Sequence, residues 1–100
     1  MTGPHGIVIE WFTSRPHEEV LQETYRLDQF VKALTGFRSV MYYNIHQRIY
    51  IAVLAFTSES STDDALSVLQ TLLTTVPDKI TLTKAQVIPG DEMEERKIAL

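Results

Sequence analysis

Residues 36–57, GFRSVMYYNIHQRIYIAVLAFT, decide how this chain folds. The stretch reads as two strands folded back on each other around His46-Gln47. The strand over 37–45 places Phe37, Met41, Tyr43 and Ile45 on one side, with Val40 and Tyr42 on the other. The strand over 49–57 sets Ile49, Ile51, Val53 and Ala55 against Tyr50, Ala52, Leu54 and Phe56. An antiparallel hairpin normally alternates apolar with polar residues and leaves one face in water. Neither of these strands has a wet side. Helices from the same chain can cover one face, and a second copy of the chain is the cover expected for the other. The competing possibility is a pair of shorter strands with a less apolar second face.

Upstream, residues 6–12 (GIVIEWF) alternate β-branched and aromatic positions, which predicts a strand. Ile7, Ile9 and Trp11 share one side; Val8, Glu10 and Phe12 share the other. After a turn at residues 13–15, Pro16 suits the first position of a helix, and Glu18 and Glu19 favour its positive end. Val20, Thr24, Leu27, Val31 and Leu34, widened by Leu21 and Phe30, form a helical stripe that runs to about Thr35, with Gly36 as a left-handed cap.

Downstream, Ser61-Thr62-Asp63-Asp64 resembles a capping box and predicts a helix from Asp63 to about Val76, stopped by Pro77. Ala65, Leu69, Leu72 and Val76 lie on its stripe, with Leu66 and Leu73 beside it. Residues 80–88 form a weaker strand, because Ile80 and Leu82 fall out of phase with Ala85 and Val87. A bulge near Lys84 would restore the phase. Residues 1–90 then make one domain and 91–100 a charged tail. The order strand, helix, strand, strand, helix, strand predicts an α+β, ferredoxin-like βαββαβ fold. Its four-stranded antiparallel sheet carries both helices on one face.

The bulk properties narrow the function. With 44% hydrophobic and 22% charged residues, this is the composition of an ordinary globular chain of 100 residues. No cysteine is present, so neither thiolate metal sites nor thiol nucleophiles are available. The net charge of −4 and the scattered Lys and Arg argue against nucleic acid, which needs clustered cations. The amino terminus lacks a signal-peptide pattern and no apolar run is long enough to span a membrane, so a cytoplasmic protein is expected.

The chain resembles the dimeric α+β barrel proteins, a family that includes small antibiotic-biosynthesis monooxygenases, polyketide cyclases and stress-responsive barrel proteins. The likeness is carried by the amphipathic first helix, by Gly36-Phe37-Arg38-Ser39 leading into the hairpin, and by Ala55-Phe56-Thr57-Ser58-Glu59 before the second helix. Thr35-Gly36-Phe37 stands where these proteins usually carry Pro-Gly-Phe. The better-marked branches place a His in the first helix, where Glu23-Thr24-Tyr25-Arg26-Leu27-Asp28 keeps a Tyr and lacks the His. The resemblance implies a homodimer with a pocket in each sheet on the side away from the helices, and chemistry without metal or flavin.

Several side chains are candidates for that chemistry. His5, in phase with Ile7, Ile9 and Trp11, is similar to the His that opens the first strand of plant-type polyketide cyclases. It is either a general base or a solvated terminal residue. His46 is a turn residue first and a candidate base second, and lies too far from His5 for a dyad; His17, in the first helical turn, is expected to be solvated. Three scattered histidines do not suggest a metal site. Glu10 is either a buried carboxyl with a raised pKa or the ion-pair partner of Arg48. Trp11, Tyr42, Tyr43 and Tyr50 supply flat walls with polar tips, suited to a planar ligand or to plain core.

Two functions are consistent with these features. The first is a cofactor-independent cyclase, isomerase or oxygenase acting by proton transfer on an aromatic or polyketide-like molecule. His5 and Tyr43 would be catalytic, with Ile7, Ile9, Trp11, Tyr25, Tyr42 and Tyr50 contacting the ligand. The second is a non-catalytic dimerisation or ligand-binding module, a partner subunit of a larger protein whose acidic tail makes the contact.

Overall fold

A computed structural model describes residues 5–88. The order is β1 (His5–Phe12), α1 (His17–Lys32), β2 (Phe37–His46), β3 (Ile49–Phe56), α2 (Glu59–Leu73) and β4 (Lys79–Ala85). The strands form one antiparallel sheet in the order β2-β3-β1-β4, which is the ferredoxin-like arrangement expected from the sequence. Both hydrophobic central strands lie inside it, and the weaker β4 lies at an edge. The tail at 91–100 lies outside the described residues. No helix among the described residues is long and apolar enough to cross a membrane.

The pairing Ile7↔Leu54, Ile9↔Ala52 and Trp11↔Tyr50 puts these six side chains on the helix side of the sheet. There they meet Leu27 and Val31 of α1 and Ala65, Leu69 and Leu73 of α2 in a single core. Ile7, Ile9, Leu54 and Leu69 are fully buried, and each such side chain contributes roughly 1.5–3 kcal/mol of transfer free energy.

Pro16 is the N-cap of α1 and not its first residue; its carbonyl accepts from the amides of Glu19 and Val20. At the other end Gly36 takes φ 78°, the left-handed conformation expected of it. A Cβ there would lie 2.4 Å from the Ser61 hydroxyl. The Gly36 carbonyl accepts from the Thr57 amide, which ties the end of α1 to the end of β3.

Three expectations need correction. First, α2 starts at Glu59 and ends at Leu73, several residues earlier at its start than the capping box at Ser61 suggests. Ser58 is the cap; its hydroxyl accepts from the Ser61 amide at 3.0 Å, and its carbonyl accepts from Thr62 Oγ1. Thr62 is buried in the first turn of α2, and Leu73, not Leu72, lies in the core.

Second, β4 has no bulge at Lys84. Its register with β1 runs unbroken from Gly6↔Ala85 to Phe12↔Lys79. Ile80 and Leu82 pack on the core, and Lys84, on their face, bonds to Asp63 at 2.6 Å and Glu59 at 3.5 Å. Val87 lies past the strand end, where it fills the space beside Gly6 that a Cβ would otherwise occupy.

Third, the irregularity falls in β2, with register shifts between Phe37 and Ser39 and between Asn44 and His46. The first shift moves Phe37 from the side of Met41 and Tyr43 to the core side, where it meets Phe56 edge to face at 6.3 Å.

The face away from the helices carries Val8, Met41, Ile49, Ile51 and Val53, all partly exposed, and Phe12, Tyr43 and Ile45, exposed by 50%, 43% and 62%. Its apolar part spans β1, β3 and β2. Thr81 and Thr83 of β4 give it a polar border. Glu10 sits on this face between Ile51 and Thr81, exposed. No ion pair joins it to Arg48 among the described residues, so the Glu10–Arg48 pair is not formed. Arg48 serves the turn through its carbonyl, which accepts from Thr13.

Candidate functional site

Under α1, the sheet leaves an apolar cleft of about 200 Å³. Ile9 and Trp11 of β1, Tyr50 and Ala52 of β3 and Tyr42 of β2 face His17, Leu21, Thr24 and Leu27 of α1 across it. Tyr43 and Asn44 complete one rim. An apolar cavity of about 150 Å³ takes a benzene ring, so the space suits one or two fused rings. The cleft exists because Ala52, small and central, faces the helix between larger neighbours, so that α1 cannot fill the gap above it.

Two aromatic walls, Trp11 and Tyr42, are held by carboxylates that do not line the cleft. Trp11 Nε1 donates to Asp78 Oδ2 at 2.7 Å, and the same carboxylate accepts from Thr13 Oγ1 and from Arg15. Burial alone would raise the Asp78 pKa, but the bonds from Arg15, Trp11 and Thr13 outweigh it and hold the carboxyl below its ordinary range. Tyr42 Oη donates to Asp28 Oδ1 at 2.7 Å, while Lys32 Nζ lies 2.8 Å from Oδ2. Burial, then the bond to Asp28, raise the Tyr42 phenol well above its ordinary value. Burial opposes ionisation of Asp28 too, yet the bonds from Lys32 and Tyr42 leave its carboxyl below the usual range.

The remaining polar groups differ in availability. Asn44 Nδ2 is committed to the carbonyls of His46 and Ile49 in the hairpin. Thr24 Oγ1 donates to the Val20 carbonyl, and Tyr43 Oη to Met41 Sδ at 3.6 Å, a weak bond. At the mouth, His17 Nδ1 lies 2.6 Å from Tyr50 Oη and the two rings stack at 5.7 Å. An imidazole and a phenol in hydrogen-bond contact at the edge of an apolar cleft can pass a proton between a bound ligand and water.

Of the residues singled out in the sequence, Ile9, Trp11, Tyr42, Tyr43 and Tyr50 meet at this cleft. Ile7 is buried in the core beyond it, and Tyr25 is 71% exposed on α1. His5 opens β1 four positions before Ile9, hence roughly 13 Å from it along the strand. Its Nε2 is buried with no hydrogen-bond partner among the described residues. His46 is exposed in the hairpin. A cleft with convergent polar groups lies beneath α1, and the face away from the helices, where the pocket is expected, carries a more open hollow around Glu10, Phe12, Ile49, Lys79 and Thr81. His17 is exposed, as expected, and its contact with Tyr50 is what the sequence did not show. Its placement directly after the β1–α1 turn, at the end of the strand carrying Trp11, was the available signal. No group of three His, Cys, Asp or Glu among the described residues is placed to hold a metal ion.

The fold is ferredoxin-like α+β, and two solved structures share it. SnoaB, a cofactor-independent oxygenase from Streptomyces nogalater, superposes with a TM-score of 0.71 at 12% identity, covering 85% of this chain and 93% of its own. A putative monooxygenase from Shewanella loihica gives a TM-score of 0.65 at 17% identity, covering 88% and 97%. At these identities the likeness establishes the fold. No protein-family model matches the chain, and no curated protein is similar to it in sequence.

Proposed function

We propose that the protein is a small oxygenase-type enzyme that uses no bound cofactor and acts on a hydroxylated aromatic or polyketide-like molecule in the cleft under α1. The observation that carries this is the His17–Tyr50 pair at the mouth of a cleft walled by Trp11 and Tyr42. The oxygenase and monooxygenase named above, which share the fold, favour oxidation over cyclisation or isomerisation as the outcome.

Proton removal is the step such a site can supply. The ligand's acidic O–H or C–H gives its proton to Tyr50 Oη as the Tyr50 proton moves to His17 Nδ1, and the imidazolium loses it to water. The electron-rich anion that results reduces dioxygen, forms a carbon–oxygen bond, and yields a hydroperoxide once the proton returns. Loss of water from R₂CH–OOH leaves R₂C=O, so one dioxygen converts a CH₂ group to a carbonyl and one water. The apolar walls exclude bulk water from the anion and leave dioxygen, which is itself apolar, free to enter.

The open sheet face belongs to the same proposal. Pairing two copies through Val8, Ile51, Val53 and Met41 would remove these side chains from water and complete a dimeric barrel.

The test is oxygen uptake with a panel of one- and two-ring compounds, phenols, naphthols and 2-tetralone. His17→Ala and Tyr50→Phe are each expected to lower turnover by about a hundredfold, within the usual range for an acid–base residue. Unchanged turnover in both would remove the pair from the mechanism, and a comparable loss in His5→Ala would move the base to the start of β1. A second reading, a non-catalytic ligand-binding module, is favoured by the internal commitment of Tyr42, Asn44 and Thr24. Ligand binding with no oxygen uptake and no ligand conversion would support it.

A further inference from the structure

We propose that Asp28 and Tyr42 select the ligand: they make the cleft accept a free aromatic hydroxyl and reject the corresponding methyl ether. This rests on the cleft being the ligand site, and extends it to a substrate class. A phenol has one proton and two lone pairs. The Tyr42 proton is spent on Asp28 Oδ1 at 2.7 Å. Asp28 cannot easily turn away, because its other oxygen is held by Lys32 at 2.8 Å one helical turn along α1. Tyr42, on β2, is thereby tied to α1 across the cleft it lines. Its phenol stays protonated throughout the neutral range, since burial and the carboxylate both oppose ionisation.

What Tyr42 can offer a ligand is therefore only acceptor capacity. A ligand hydroxyl placed beside it supplies the missing donor. An ether has none, and sets its own lone pairs against those of Tyr42. Tyr42 is 38% exposed, so water can satisfy its oxygen when the ligand does not, and the discrimination is that of one net hydrogen bond. Asp28 does not line the cleft. It is a positioning residue whose influence passes entirely through the orientation of the Tyr42 hydroxyl.

The experiment is calorimetric titration of the full chain with 1-naphthol and 1-methoxynaphthalene, which differ by one methyl group and fit the estimated ring capacity of the cleft. The wild type is expected to prefer the naphthol by about tenfold, the equivalent of one good hydrogen bond. Tyr42→Phe is expected to bring the ratio close to one. Asp28→Ala frees the Tyr42 hydroxyl to donate to the ether oxygen, and its ratio is also expected to fall close to one. Asp28→Asn keeps an acceptor and is expected to retain most of the preference.

Alkaline absorbance titration gives an independent readout. One of the four tyrosines is expected to ionise last in the wild type, to vanish from the curve in Tyr42→Phe, and to ionise earlier in Asp28→Ala. A wild-type ratio near one, a ratio unmoved by Tyr42→Phe, no binding of either compound at millimolar concentration, or an Asp28→Ala variant that is less stable but keeps both ratio and titration would each overturn the proposal. Because binding needs no oxygen, selective binding without oxygen uptake would sink the enzymatic proposal and leave this one standing. Oxygen uptake with equal affinities would do the reverse.

Discussion

At the scale of single residues, the molecule depends most on a carboxylate that the sequence does not advertise. Asp78, its side chain 5% exposed, gathers Trp11, Thr13 and Arg15 from the far end of β1 and the turn beyond it. Its folded pKa is depressed, so the stability it contributes is fully present above the unfolded value of about 3.9 and is lost as pH falls through the lower folded value. Asp78→Asn is expected to cost about 2 kcal/mol near neutrality, because part-buried Arg15 loses a charged hydrogen-bond partner and keeps only Glu23 at 3.5 Å. Its thermal midpoint should then fall less steeply than the wild type's between about pH 4 and pH 2. Melting curves across that range, followed by circular dichroism, check both parts. Trp11, Tyr42 and Tyr50 were legible as candidate walls because they are aromatic residues on strands, but that they share a side, with Tyr43 on the other, follows from the register. The partners Asp78, Asp28 and His17 were not legible. They lie 67, 14 and 33 positions away from the groups they bind, and no local pattern encodes such pairings.

At the scale of elements, type and order followed from periodicity, whereas ends and irregularities depended on tertiary contacts. The first three strands lie within one residue of where their apolar spacing puts them, and the first helix ends three residues before Thr35. The start of α2 was misplaced because Ser58 and Ser61 are both good caps, and the bond from the Ser61 amide to the Ser58 hydroxyl identifies the earlier one. Ser58→Ala is therefore expected to destabilise the domain by about 1 kcal/mol. That corresponds to a melting midpoint lower by about 4–8 °C in a domain of this size. Ser61→Ala leaves the Ser58 bond to the Ser61 amide in place and should cost less, and a cost larger than that of Ser58→Ala would return the cap to Ser61. The shift at Phe37 was likewise invisible in the sequence. A bulge changes which face a residue joins without changing its type, and here the reason is the contact with Phe56 across the core.

At the scale of the whole molecule, two helices for four strands leave one sheet face unshielded, and the hairpin makes much of that face apolar. Val53, at its centre, pairs with Val8 on one side and Met41 on the other. In an isolated subunit Val53→Glu would place a charge in water at little cost. In the proposed dimer it would bury two like charges at a two-fold axis. Sedimentation at micromolar concentration is expected to give a dimer for the wild type and a folded single chain for Val53→Glu; a wild type that sediments as a single chain would remove the dimer. The general fold was legible at this scale because the alternation of element types admits few right-handed arrangements. The position of the cleft was not, since it depends on how closely α1 approaches the small Ala52, a matter of side-chain volume and not of pattern.

The chain has a single tryptophan, and that residue is at once a wall of the cleft and a ligand of Asp78. Its ultraviolet emission is consequently an unlabelled gauge of two events. A planar guest in the cleft quenches it from the ring face, and loss of the Asp78 bond at acid pH changes it from the indole N–H side. The protein's one indole thus sits where occupancy and integrity can be read from the same spectrum.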